Sequence, residues 1–299
     1  MTDARPTYGV AETVAPGLAR IIAPNPSPMT FWGTNTFLAG KDALVIIDPG
    51  PADEAHLAAL LAAIGDREVT HILVTHSHLD HSPLACALQR EVDAPICAYG
   101  PSDAGRSEMM TRLASEGLIG GGEGVDTGFA PDLHLRDGVS LTTGAGRVTA
   151  IHTPGHFGNH MCFEWDETLL CGDLVMGWAS SLVSPPDGDL GHFLQSCQRL
   201  RSRATGAFYP AHGPAIADPL ARLDWLIAHR RMRSEEILKA LKKGRADVAM
   251  LTRAIYTETP RTLWPAASRN VLAHLVHLVE QGRVRADGPL RADAVFELA

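Results

Sequence analysis

The chain has 299 residues, 45% of them apolar and 20% charged. It is long enough for one large domain or two unequal ones and holds no run of about eighteen apolar residues to span a bilayer. The opening Met-Thr-Asp-Ala-Arg-Pro has no basic flank, apolar stretch or small-residue cleavage site, so a cytoplasmic location is expected rather than export. The five cysteines, Cys86, Cys97, Cys162, Cys171 and Cys197, contain no CxxC pair, which argues against a disulfide framework or a cysteine zinc knuckle and for buried free thiols. Net charge is -8, unevenly spread: residues 216–299 hold 14 basic and 10 acidic side chains, a net +4, and the rest of the chain is acidic. A tail that mildly basic is more simply a set of solvated helix faces than a nucleic-acid surface.

Residues 30–50 read as two β-rich runs joined at Gly40-Lys41-Asp42, the second ending at Asp48-Pro49-Gly50. Helical spacing over 53–64 precedes a short apolar strand, 69–75, with His76 just beyond it. A helix over 83–91 follows, then strands at 94–99, 139–143, 147–152, 161–165 and 168–171. Ser184-Pro-Pro-Asp-Gly-Asp189 is a turn-rich loop before an amphipathic helix over 190–203, and a strand at 207–210 leads to His212. From about residue 219 the texture becomes helical, over 223–243, 248–256 and 268–281, and a closing ribbon gives the outline of a winged helix.

The run His76-Ser-His78-Leu-Asp80-His81 gathers three imidazoles and a carboxylate directly after a strand. Imidazole with carboxylate and no thiolate suits an open, catalytic zinc, iron or manganese site. One run cannot complete two coordination shells, so further ligands are required at later strand ends. His156 in Thr-Pro-Gly-His, Asp173 in Cys-Gly-Asp and His212 in Ala-His-Gly meet that requirement, each beside a glycine.

This ordered set, HxHxDH, TPGH, GD and AHG, resembles the metallo-β-lactamase superfamily over roughly residues 15–218. The resemblance implies an α/β (α+β) fold, an αββα sandwich, as a catalytic domain at 1–218. A small, mostly helical winged-helix-like domain follows at 219–299, an arrangement similar to the lactamase-beta-2-like group. It implies that His76, His78 and His156 hold one divalent metal and Asp80, His81 and His212 a second, with Asp173 bridging them. Zinc is the default ion, with iron or manganese fitting the same ligands. It also implies that Asp48 orients a ligand imidazole from behind, and that Asp80 and Asp173 act in catalysis. Where the best-known zinc β-lactamases bridge through cysteine this chain has Asp173, so β-lactam hydrolysis is not the expected activity. Where the flavodiiron branch has glutamate it has His78, which argues against redox chemistry. Phe157 stands where related hydrolases often place Thr or Ser, a change in the expected pocket wall.

The expected reaction is attack by a metal-bridging hydroxide on a small ester, thioester or lactone, Asp80 or Asp173 steering the proton. Cleavage of single-stranded RNA is the alternative, drawn from the tail and its basic runs Arg230-Arg231-Met-Arg233 and Lys242-Lys243-Gly-Arg245. A metal-sensing, nucleic-acid-binding regulator is the third reading. His71, His152, His274 and His277 read as structural, although His152 and His160 flank the third ligand and the pair on the last helix has chelating spacing. The loop from Trp178 to Pro186, with surface from the tail, is expected to line the substrate pocket.

Overall fold

The computed structural model describes residues 6–299 apart from 122, 123 and 205; the expectation drawn from the first residues lies largely outside that range. Seven strands form one mixed sheet in sequential order: β1 (Glu12–Ala15), β2 (Leu18–Ile22), β3 (Asn35–Ala39), β4 (Ala43–Ile47), β5 (Glu68–Leu73), β6 (Ile96–Ala98) and β7 (Leu133–His134). Five more form a second, β8 (Ser140–Thr143), β9 (Gly146–His152), β10 (Met161–Trp165), β11 (Thr168–Gly172) and β12 (Phe208–Pro210), ordered β12-β11-β10-β9-β8.

Period-two patterning explains how the sheets pack, because alternate side chains leave a strand on opposite faces. On β4, Val45 and Ile47 join Phe163, Met161 and Leu170 of the second sheet in a core between the two. Leu44 and Ile46 point the other way, onto α1 (Glu54–Ile64) and α2 (Ala85–Val92) through Leu60, Ile64 and Leu88. The outer face of the second sheet, with Ile151, Cys162 and Leu169, is covered by α4 (Leu190–Arg201), behind the short α3 (Glu108–Ser115) in chain order, and by the first half of α5 (Pro219–Leu241). The layers run helix, sheet, sheet, helix.

The second half of α5 belongs to a different core. Ile237, Leu238 and Leu241 pack with α6 (Val248–Ile255), α7 (Trp264–Glu280) and the ribbon of β13 (Val284–Asp287) and β14 (Val295–Leu298), around Leu275 and Phe296. Met110 and Leu113 of α3 enter this core from the sandwich side, although α3 sits in a stretch where the sequence offers no sustained periodicity. Ser107 caps α3 and donates to Asp189, the cap of α4, at 2.7 Å, so a capping contact ties two loops together. Asp218, at the expected domain boundary, is the cap of α5.

Helix α5 begins four residues before the expected start because Pro219 sits in its first turn, and Pro265 does the same for α7. Four cysteines are buried as expected, but Cys86 is exposed on α2, which has only one apolar face. No helix among the described residues is long and apolar enough to cross a membrane.

Phe163 is fully buried between the sheets. Phe163→Ala should cost about 3–5 kcal/mol of unfolding free energy, read from the midpoint shift in urea. A loss below ~1 kcal/mol would contradict the packing of the two sheets.

Candidate metal centre

The site lies where strands of both sheets end. The segment after β5 carries His76, His78, Asp80 and His81; the turn after β9 carries His156, the end of β11 delivers Asp173, and the end of β12 delivers His212. All seven expected side chains come together, each with only 0–6% of its surface exposed. Ligand atoms of His76, His78, His156 and Asp173 lie within 4.8 Å of one another, as do those of Asp80, His81 and His212. The two groups adjoin: His212 Nε2 is 3.3 Å from Asp173 Oδ1 and 3.2 Å from Asp80 Oδ2, and His156 Nε2 is 3.6 Å from Asp173 Oδ2.

The far side of four of the five imidazoles is anchored. His81 Nδ1 donates to Asp48 Oδ2 at 3.0 Å, His156 Nδ1 to the Leu182 carbonyl at 2.7 Å and His212 Nδ1 to the Gly33 carbonyl at 3.2 Å. His76 Nδ1 donates to Thr75 Oγ1 at 3.0 Å, and that hydroxyl donates to Asp48 Oδ2 at 2.7 Å. Asp48 thus steadies two imidazoles, while its other oxygen accepts the Thr75 backbone N–H at 2.7 Å. A non-glycine residue with φ of 51°, it adopts a left-handed backbone that places that carboxylate. Anchors of this kind fix ring orientation and tautomer in metal sites.

Three supporting groups carry no role in the sequence reading. Thr75 is legible only as the residue before the motif, and a backbone carbonyl such as that of Leu182 leaves no residue-type signal at all. His160, four residues after His156, accepts the Asp173 N–H at its Nε2, 3.1 Å away, and donates from Nδ1 to Thr153. Its approach explains the glycine of Cys-Gly-Asp: Gly172 has φ of 50°, and a Cβ there would lie 2.5 Å from His160 Nε2. Gly155 of Thr-Pro-Gly-His answers a similar need, since a Cβ would meet the α4 backbone at Phe193 at 2.3 Å.

Other histidines stay apart. His152 stacks on Tyr99 at 3.8 Å and bonds the Gly158 carbonyl, His71 contacts Thr70, and His274 is buried against Ser234. Phe157 is fully buried edge-on to His78 at 4.8 Å, so it backs the ligands rather than lining an open pocket.

Asp80 Oδ1, Asp173 Oδ1 and His81 Nε2 are buried without hydrogen-bond partners. Such orphaned donors and acceptors are costly unless another group takes their lone pairs, and this donor set fits two divalent cations. Charge divides the site in two. Burial, with the neighbouring imidazoles, pushes His78 down to about 3 and His76 and His156 below the usual range. Burial acts the same way on His212 and His81, but Asp173 and Asp80 outweigh it and lift His212 to about 10 and His81 well above its usual value. Burial raises both carboxyls, yet His81 and His212 prevail and hold Asp80 and Asp173 low.

At pH 7 the metal-free protein therefore holds His81 and His212 as imidazolium, each with a second ring proton, and His76, His78 and His156 as neutral imidazoles. Loading both ions should release about two protons, with affinity of the Asp80–His81–His212 group rising as pH rises. Calorimetry in buffers of different ionisation enthalpy measures this, and release near zero would contradict the charge assignment. Asp48→Ala should weaken metal binding about 10–100-fold, measured by competition with a chelator; unchanged affinity would remove Asp48 from the site's support.

Comparison with known proteins agrees with this geometry. The metallo-beta-lactamase superfamily model matches residues 29–212, and the beta-lactamase associated winged helix domain matches residues 248–291. The chain is 29% identical over 278 residues to a Beta-lactamase-like protein 2 homolog of Drosophila melanogaster, covering 89% of each chain. It is 28% identical over 252 residues to an Atrochrysone carboxyl ACP thioesterase of Claviceps purpurea, covering 82% of this chain and 71% of that one. The solved structure of a metallo-beta-lactamase family protein from Thermus thermophilus superimposes with a TM-score of 0.76 at 27% identity, over 96% of this chain and 100% of that one. With its αββα sandwich, winged helix and buried His/Asp cluster that could hold two metal ions, the chain belongs to the metallo-β-lactamase superfamily and is a metal-dependent hydrolase.

Proposed function

We propose that the chain hydrolyses a small acyl ester, thioester or lactone, with His76, His78 and His156 holding one ion, Asp80, His81 and His212 the other, and Asp173 bridging. The observation that carries this reading is the convergence of seven buried side chains in which carboxylate oxygens and an imidazole nitrogen lack hydrogen-bond partners. Two divalent ions there, zinc by default, would lower the pKa of a water toward neutrality and polarise a carbonyl oxygen.

The chain's own groups do the rest. With the ions held, His81 and His212 would be neutral ligands and Asp80 and Asp173 carboxylates, and an oxygen of one of these would accept the proton leaving the attacking water. That proton then passes to the departing alkoxide or thiolate. Asp48, Thr75 and the Leu182 and Gly33 carbonyls keep the imidazoles in place while this happens. We divide the chain at 218/219, a catalytic domain before and a winged helix after, with the first half of α5 serving the sandwich as cover.

Support for an acyl substrate comes from the thioesterase named among the relatives and from the fate of the basic runs. Arg230 is 1% exposed and bonded to Asn270 and Ser181. Arg233 pairs with Glu236 at 2.8 Å, and Arg245 with Asp287 at 2.5 Å. These three cations are engaged, while Arg231, Lys242 and Lys243 stay exposed, so only part of the two runs is left for a phosphate-binding surface.

The metallated protein should hydrolyse p-nitrophenyl esters or acyl thioesters and leave labelled single-stranded RNA intact. Asp173→Ala should lower that turnover more than ~100-fold, since loss of an outer partner alone costs about 10–100-fold. RNA cleavage that Asp173→Ala abolishes, without acyl turnover, would replace this reading with the nuclease.

A further inference from the structure

Beside the centre, the sandwich and the winged helix enclose an apolar space. A cavity of about 170 Å³ is walled by Met29, Met176, Trp178 and Leu182 from the sandwich loops and by Leu263 and Ala266 from the winged helix. A second, of about 370 Å³, adjoins it, sharing Met29, Leu182, Leu263 and Ala266 and reaching Arg269. Together they fall in the size range of small-molecule sites.

The walls are continuous with the centre. Leu182 carries the carbonyl that His156 bonds at 2.7 Å. Trp178 stacks on Phe31 at 5.0 Å and lies against Gly213, the residue after His212. The space therefore adjoins the centre through the backbone that supports His156 and the residue that follows His212. The Leu182 wall is held rigidly: Asn270 Oδ1 accepts the Val183 N–H at 3.0 Å and an Arg230 N–H at 2.9 Å, and Arg230 also donates to the Ser181 carbonyl. Asn270 Oδ1 takes two of these donors, and most of the surface facing the inner cavity is aliphatic and aromatic, with Ser180, Tyr256, Thr259 and Asn270 as its polar members.

We infer that this pocket receives the apolar acyl portion of the substrate, so that the winged helix sets acyl-chain selectivity. The inference rests on the acyl-hydrolase reading above. Concavity and fixed walls favour a chain entering from the centre over a flat protein partner, and each methylene buried is worth about fourfold in binding. Ala266 is half-buried on α7 and Leu263 lies in the 3-10 turn before it; neither belongs to the hydrolytic machinery.

The test compares wild type, Ala266→Trp, which fills the pocket, and Leu263→Ala, which enlarges it. Two measurements are made on each: kcat/KM for acetyl to decanoyl p-nitrophenyl esters, and decanoate binding to the metal-free protein by tryptophan fluorescence. In wild type, kcat/KM should climb at least tenfold from acetyl to octanoyl. Ala266→Trp should flatten that climb, keep acetyl turnover within twofold and weaken decanoate binding at least tenfold, while Leu263→Ala moves the preference to longer chains. A chain-length profile and decanoate affinity unchanged in Ala266→Trp would overturn the inference, as would wild type that binds no decanoate. Decanoate binding lost in Ala266→Trp without any ester turnover in wild type would instead uphold the pocket and sink the acyl-hydrolase reading.

Discussion

Seven ionisable side chains share one buried space at the ends of two sheets, and the molecule has to make that tolerable. Isolated buried charges are very expensive, and buried polar groups left without partners cost less but still count. The chain meets this on the outer side of four of the five rings, with Asp48, Thr75 and two backbone carbonyls taking the imidazole N–H groups. On the inner side it leaves oxygens of Asp80 and Asp173 open, the arrangement expected where cations complete the balance. Two mixed sheets packed face to face supply the frame, because strand ends from both can then be aimed at one point without bending the core.

The C-terminal domain is drawn into the same constraint. Arg230 of α5 is buried with Asn270 of α7 as a partner instead of an acid. Through Asn270 and Ser181 it secures the loop whose Leu182 carbonyl orients His156. The winged helix thus acts on the metal centre through backbone, one bond removed from a candidate ligand, and supplies half of an apolar wall. A fold outline often associated with nucleic acid here also supports the backbone behind a candidate ligand.

Much of this was legible in the residues. Spacing and strand-end position singled out all seven side chains, because donor type and adjacent glycine are local signals, and the family resemblance added Asp48; most of the order of strands and helices followed from period and punctuation, although β1, β2 and β7 did not. What escaped has a common physical cause. The Leu182 carbonyl carries no residue identity, His160 acts on the backbone of Asp173 rather than through its own motif, and α3 is short, its two buried residues packing into a core formed far along the chain. Arg230, at the head of a basic run, reads as solvent-facing in the sequence and lies inside the protein while Arg231 beside it is exposed, since nothing local distinguishes an arginine that will be clamped by an asparagine and a carbonyl from one that will be solvated.

The most direct measurement is anomalous diffraction from crystals of the zinc-loaded protein. The account predicts two ions. One should lie about 2.0–2.1 Å from nitrogens of His76, His78 and His156, and the other at similar distances from His81, His212 and Asp80, with Asp173 reaching both. A single ion, or ions bound away from these side chains, would contradict it.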